Sequence, residues 1–311
     1  MKHYSHVPVL RDAALALLEP RAGGVYLDGT FGGGGYAKAI LKAADCTLLA
    51  IDRDPAAVQR GLALALAYPG RLKIFEARIS NILNILEQAG VRLLDGAVFD
   101  LGVSSYQIDD AARGFSFRAD GPLDMRMGNS TVSAAVLVNS MSESELSDIL
   151  YQFGEERASR RIAKAIVERR KLQNFSTTAD LAGVIRSIVR SDKSGIDPAT
   201  RSFQALRIAV NDELGEIEAA LAHSATCLAP GGRLVVVSFH SLEDRIVKKF
   251  FAQACGRAPG ASRHSPAGMQ DAARPQFRLL TASPVAAGAD ETRANPRARS
   301  AKLRAMERLA A

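Results

Sequence analysis

Residues 25–35, VYLDGTFGGGG, constrain this chain more than any other segment: a short apolar run ends in an acid and meets a cluster of glycines. The run predicts a buried strand, the glycines a tight loop, and residues 36–43 a helix, which together open a strand–helix–strand unit. The pattern repeats. A second strand over 47–51 again ends in an acid, Asp52, and Pro55 starts the next helix, since proline suits the first helical turn. A third strand at 74–75, a helix over 81–89 and a fourth strand over 96–99 that ends in Asp100 complete the series. Alternation at this spacing predicts an α/β fold with a parallel, doubly wound, Rossmann-like sheet.

From about Tyr106 to about Val210 the alternation stops. Periodic segments at 143–153, 156–172, 178–190 and 200–210 predict an inserted helical subdomain. A helix over 212–228 then leads into APGGRLVVVSFHS, where the glycines make a turn and residues 233–238 a buried strand, so the sheet resumes. The expected organisation is therefore a first sheet portion over 1–105, a helical insert over 106–211, and a second sheet portion with a basic tail over 212–311. Residues 256–300, rich in Ala, Gly, Pro, Ser and Arg, read as a mobile or partner-ordered loop.

Composition bounds the function classes. With 47% hydrophobic and 23% charged residues in 311, the chain can build a sizeable core, which argues against wholesale disorder. No apolar stretch approaches the roughly 18 to 20 residues of a membrane span, and residues 1–20 lack the continuous apolar region of a secretory leader, so a cytoplasmic location is expected. Three scattered cysteines, Cys46, Cys227 and Cys255, fit a reducing compartment and no structural metal. Lys and Arg number 40 against 33 Asp and Glu, and residues 257–311 hold ten basic and four acidic side chains. Such a concentration suits a polyanion as readily as it suits solvated charge.

Three strand tips, at Asp28 to Gly35, Asp52 and Asp100, would share the carboxyl edge of one sheet, where ligands of open α/β sheets bind. Asp52, 17 residues after Gly35, is placed to accept hydrogen bonds from ribose hydroxyls. Gly32, Gly34 and Ala37 satisfy a G-x-G-x-x-A fingerprint, which keeps NAD in view. Asp28, however, precedes the glycines, where an acid would repel a pyrophosphate but suits the ammonium of a methionine moiety. That favours S-adenosylmethionine.

Longer motifs carry a resemblance. FDLGVSS at 99–105, RGFSFRADGPLDMRM at 113–127, TRSFQALRIAVNDEL at 200–214, PGGRLVVVSFHSLEDRIVK at 230–248 and NPRARSAKLR at 295–304 join the glycine loop. With HVPVL at 6–10 they span nearly the full length, and the chain resembles the bacterial small-subunit ribosomal RNA methyltransferase H family, also called MraW. The resemblance implies an S-adenosylmethionine-dependent methyltransferase sheet with a helical insert. It also implies methylation of N4 of a cytidine in the decoding region of 16S ribosomal RNA. Carried over residue by residue, the family's cofactor contacts fall on Gly34, Gly35, Tyr36, Asp52, Ile79, Asp100 and Gln107. Tyr36 stands where the family has histidine, Ile79 where an aromatic is common, and Tyr106 where proline is common. A backbone contact survives such changes; a side-chain contact need not.

Asp100 is the candidate catalytic residue. The exocyclic amine of cytosine has its lone pair delocalised into the ring, so an acceptor on its N–H restores nucleophilicity and receives the proton, worth roughly 10² to 10⁴ in rate. A second role, hydrogen bonding to cofactor alone, stays open for Asp100. The tip Asp100-Leu101-Gly102-Val103 lacks a stacking aromatic, which leaves Tyr106 or Phe115 to clamp the base. His240, Ser104 and Ser105 read as structural residues at a strand end and a loop. For the RNA, the helix around Arg157, Arg160, Arg161, Lys164, Arg169, Arg170 and Lys171, with Arg201, Arg207 and the tail cluster Arg297, Arg299, Lys302 and Arg304, offers a phosphate clamp for a splayed segment. The partner implied is 16S ribosomal RNA, in the 30S subunit; no residue pattern decides whether the chain acts as a homodimer. A NAD-dependent oxidoreductase and a non-catalytic ribosome-binding factor of the same fold are the rival readings.

Overall fold

The computed structural model describes residues 8–190, 195–257 and 275–310. In chain order the helices are α1 (Arg11–Leu18), α2 (Gly35–Ala43), α3 (Pro55–Ala65), α4 (Ile82–Ala89), α5 (Ser105–Asp109), α6 (Ala134–Ser140), α7 (Glu143–Gly154), α8 (Ser159–Arg170), α9 (Thr178–Ile188), α10 (Thr200–Asn211), α11 (Glu213–Cys227), α12 (Ser241–Ala254) and α13 (Ala289–Ala294). The strands are β1 (Val25–Asp28), β2 (Thr47–Asp52), β3 (Leu72–Glu76), β4 (Leu94–Asp100), β5 (Leu228–Ser238), β6 (Phe277–Leu279), β7 (Val285–Ala286) and β8 (Lys302–Arg308). Two units result: residues 1–102 with 214–311, and residues 103–213.

The first unit is built on one sheet in the order β3-β2-β1-β4-β5-β8-β6, with β7 also paired to β8. Strands β1 to β5 run parallel, and β8 runs antiparallel to β5. Strands such as TLLAID are apolar almost throughout because both faces are covered. Alternate residues serve opposite layers: Tyr26, Leu48, Val98 and Val235 pack with α1 and α2. Leu27, Leu49, Phe99 and Val236 pack with α4, α11 and α12. Register sets Asp28 beside Ala50 of β2 and Val98 of β4, each two residues before the acid that ends its strand, and sets Asp100 beside Val237 of β5.

The C-terminal region differs from expectation. What read as a loop over 256–300 and a basic tail contains β6, β7, α13 and a 3₁₀ turn at Pro296–Ser300 among its described residues, while 258–274 lie outside them. β8 is an interior strand of the sheet. Its sequence KLRAMER places Leu303, Ala305 and Met306 in the core while the cations between them reach outward. Lys302 and Arg304 both pair with Asp244 of α12, at 3.0 and 2.7 Å. Neither is a free phosphate ligand.

In the second unit, Leu123, Leu146, Leu150, Ile162, Ile185 and Phe203 converge in a separate core. The Ser142 side chain caps α7 by accepting from Glu145 N, and Glu145 reaches back to Ser142 N, so two orphan amides are satisfied reciprocally. The RGFSFRADGPLDMRM segment is tied down rather than open: Asn211 bonds the backbone of Met125 and Met127, and Arg126 makes a two-pronged pair with Asp124. Among the described residues no helix is long and apolar enough to cross a membrane.

Candidate functional site

The loop after β1 brings three strand tips into one hydrogen-bonded cluster. Gly32 N donates to Asp52 Oδ2 at 2.7 Å, and Asp100 N donates to Thr30 Oγ1 at 2.6 Å, so the loop bonds to the tips of β2 and β4 at once. Gly34 caps α2 at φ +72°, a backbone conformation that a side chain would strain, and Gly35 and Tyr36 open the helix. The first-turn amides of α2 have no partners within the helix and favour an anionic group. Asp52 accepts from two backbone amides, Gly32 and Asp54, one on each oxygen, which leaves each oxygen a further lone pair for a hydroxyl.

Asp28 and Asp100 each present a buried carboxylate oxygen without a hydrogen-bond partner. Asp28 is 1% exposed, accepts from Thr30 N through Oδ1, and leaves Oδ2 with no hydrogen-bond partner. Asp100 Oδ1 is likewise buried and without a hydrogen-bond partner. Burial pushes the Asp28 carboxyl up to about 7, with the Thr30 and Ala37 amides opposing and the Asp52 charge adding. Burial raises Asp100 well above the ordinary carboxylate range, and the negative charges of Asp28 and Glu243 raise it further. Burial also raises Asp52. Orphaned carboxylate oxygens are costly in a folded protein unless a cationic partner completes them. An ammonium and a sulfonium are such partners.

The remaining expected residues fall into place individually. Tyr36 is buried and its hydroxyl donates to Val9 O, so the phenol is committed to the segment before α1 and only the backbone of Tyr36 is offered to a ligand. Ile79 begins a 3₁₀ turn just past β3 and, half-buried like Phe75 and Ala77, packs against the core layer that holds Leu49, Ile51 and Ile82. Gln107 belongs to the second unit, where it is the third residue of a capping box with Ser104. His240 caps α12 and lies 3.1 Å from Glu243 Oε1, while Glu243 Oε2 accepts from Phe239 N. Phe115, a candidate base clamp, is instead a core residue of the second unit with Arg113 over its ring. Tyr106 is half exposed. Thr30, which fixes the Asp100 backbone, was not singled out by the sequence, and only its place in the glycine loop could have marked it.

The expected phosphate clamp splits. Arg169 pairs with Asp180, Arg170 donates to Val138 O, and Arg207 pairs with Glu213 at 2.8 Å. Arg161 donates to Ile188 O at 2.8 Å and Lys171 pairs with Glu168 at 2.8 Å, while Arg157, Arg160 and Lys164 of the α8 region and Arg201 of α10 are exposed.

Comparison with known proteins follows the same outline. The model of the MraW methylase family matches residues 3–309. A protein of Acidiphilium cryptum named ribosomal RNA small subunit methyltransferase H is 66% identical over 308 residues, spanning 99% of this chain and 98% of its own length. Proteins of the same name from Granulibacter bethesdensis and Paramagnetospirillum magneticum are 58% and 54% identical, over 97% and 100% of this chain and 91% and 98% of their own lengths.

Proposed function

The chain belongs to the MraW methylase family, and on that premise we propose that it methylates N4 of a cytidine in the decoding region of 16S ribosomal RNA, within the 30S subunit, using S-adenosylmethionine. The observation that carries the reading is the pair of orphaned carboxylate oxygens, Asp28 Oδ2 and Asp100 Oδ1, at neighbouring strand tips beside a glycine loop. A pyrophosphate would meet repulsion there. A dinucleotide fold also continues with parallel strands beyond the fifth, whereas here antiparallel β8 follows β5.

When bound, S-adenosylmethionine supplies a methyl group already activated by its sulfonium. The protein has to hold, orient and accept a proton. The amides at the start of α2 would hold the carboxylate end, Asp28 the ammonium, and Asp52 would accept from the ribose hydroxyls. Gly34, Gly35 and Tyr36 would contribute backbone, and Ile79 would line the purine side. Asp100 would accept the N4–H of cytosine, raising the electron density on that nitrogen, and would take the proton as the N–C bond forms and the methyl C–S bond breaks with its electron pair left on sulfur. Burial makes Asp100 a stronger base, and positive charge bound beside it favours the ionised form that accepts. The exposed cations Arg157, Arg160 and Lys164 of the α8 region would contact RNA phosphates.

The test is incubation of purified protein with methyl-labelled S-adenosylmethionine and 30S subunits that lack the modification, followed by nucleoside analysis. Label in N4-methylcytidine is the expected result. Unlabelled subunits that nonetheless bind the protein would replace the reading with a non-catalytic ribosome-binding factor.

A further inference from the structure

Two polar side chains of α11, Glu216 and His223, reach a three-residue turn beyond β3. Ala77 N donates to Asp52 O at 3.0 Å, so the chain leaves β3 directly beside the ribose acid and then makes the 3₁₀ turn Ile79–Asn81. A turn this short has few hydrogen bonds of its own and poor geometry in those it makes. Its position has to be imposed from outside.

Glu216 and His223 impose it. The Glu216 carboxylate accepts from Ser80 N at 3.2 Å through one oxygen and from Arg78 Nη1 at 3.1 Å through the other. His223 Nδ1 lies 2.7 Å from Ser80 O, and because a carbonyl only accepts, Nδ1 carries the proton. Both backbone polar atoms of Ser80 are thus held by side chains seven residues apart, two turns along one helix face. Ile217, Ala220 and Leu221 of the same helix are buried in the layer under the sheet and fix where α11 lies. Glu216 is only 8% exposed, a costly place for a carboxylate if packing were its whole purpose.

We propose that Glu216 and His223 are positioning residues for the purine end of the cofactor, clamping the Ser80 peptide so that Ile79 stands at a fixed place beside Asp52. The proposal rests on the reading of this edge as the S-adenosylmethionine site. In the strand order β3-β2-β1-β4, Asp28 marks the methionine end, Asp52 the ribose, and the turn after β3 is next outward. Neither side chain touches the ligand; each acts through the backbone of Ser80.

The experiment compares three proteins by calorimetric titration with S-adenosylhomocysteine: wild type, Glu216→Leu with His223→Leu, and Glu216→Gln with His223→Gln. Amide hydrogen exchange at Ser80 is followed in each. The leucine pair is expected to raise the Kd about tenfold and speed Ser80 exchange, while the glutamine pair, which keeps an acceptor and a donor, stays within about twofold of wild type. A merely structural role would lower the melting temperature without this rescue in affinity. Faster Ser80 exchange with an unchanged Kd in the leucine pair would overturn the clamp alone. A wild-type protein that does not bind S-adenosylhomocysteine would overturn the cofactor reading and the clamp with it. Glu216→Leu alone makes the same comparison if the double variant does not fold.

Discussion

Ionisation of Asp28 should govern cofactor affinity. Its carboxyl is pushed up to about 7 by burial, and the ligand's ammonium stabilises the ionised form, so ligand binds the deprotonated protein. Apparent affinity then scales with the ionised fraction: the Kd should be about tenfold weaker at about pH 6 than on its alkaline plateau, and about a hundredfold weaker at about pH 5. At about pH 7, binding should release about half a proton, readable by calorimetry in buffers of different ionisation enthalpy. The sign for stability is opposite. A folded-state value raised from 3.8 to about 7 contributes stability that is fully present below about pH 4 and is lost as pH rises through about 7, on the order of 4 kcal/mol for this group. Asp28→Asn should therefore flatten the pH profile of the Kd and weaken the plateau affinity by about ten- to a hundredfold. The ligand-free variant should melt no lower than wild type at about pH 8, since it no longer buries a charge. A Kd that is flat between about pH 5.5 and 8.5 in the wild type would mean that Asp28 does not ionise on binding.

Three further outcomes follow from the packing and charge. A Cβ at Gly29 would lie 2.4 Å from the Phe99 ring, so Gly29→Ala should cost about 1 to 3 kcal/mol in denaturant unfolding. Tyr36→Phe removes the bond to Val9 O and should cost about 1 kcal/mol while leaving cofactor affinity nearly unchanged, which titration will check. Arg160→Glu with Lys164→Glu should weaken binding to 30S subunits and lower the magnitude of the salt slope by about one to two, measured by filter binding over a range of salt, without altering the Kd for cofactor.

The first half of the sheet was legible because each parallel strand is a short apolar run that stops at an acid or a glycine. Asp28, Asp52 and Asp100 therefore marked the strand ends, and with them the edge proposed to bind ligand. The far side of the sheet was not. KLRAMER registered as basic charge, although its alternation of Lys302, Leu303, Arg304 and Ala305 is a strand pattern, and its cations are spent on Asp244. α12 escaped notice behind the strand it follows, despite Leu242, Val247 and Phe251 recurring on a buried face. At the site, residue types were readable but burial was not: nothing in the sequence says that Asp28 Oδ2 and Asp100 Oδ1 lack partners. The departure at Tyr36 was visible, its reason was not, since Val9 lies 27 residues away. The hold of Glu216 and His223 on Ser80 spans 136 and 143 residues, beyond any local pattern.

In the proposed mechanism Asp100 takes the proton from the target amine. The direct measurement is the single-turnover rate of methyl transfer to 30S subunits by wild type and Asp100→Asn, each at saturating S-adenosylmethionine verified by its own Kd. Asparagine keeps the size of the side chain and cannot take the proton, so the rate should fall by about 10² to 10⁴ with cofactor still bound. A rate within about threefold of wild type under saturation would contradict the account and leave Asp100 as a cofactor ligand only.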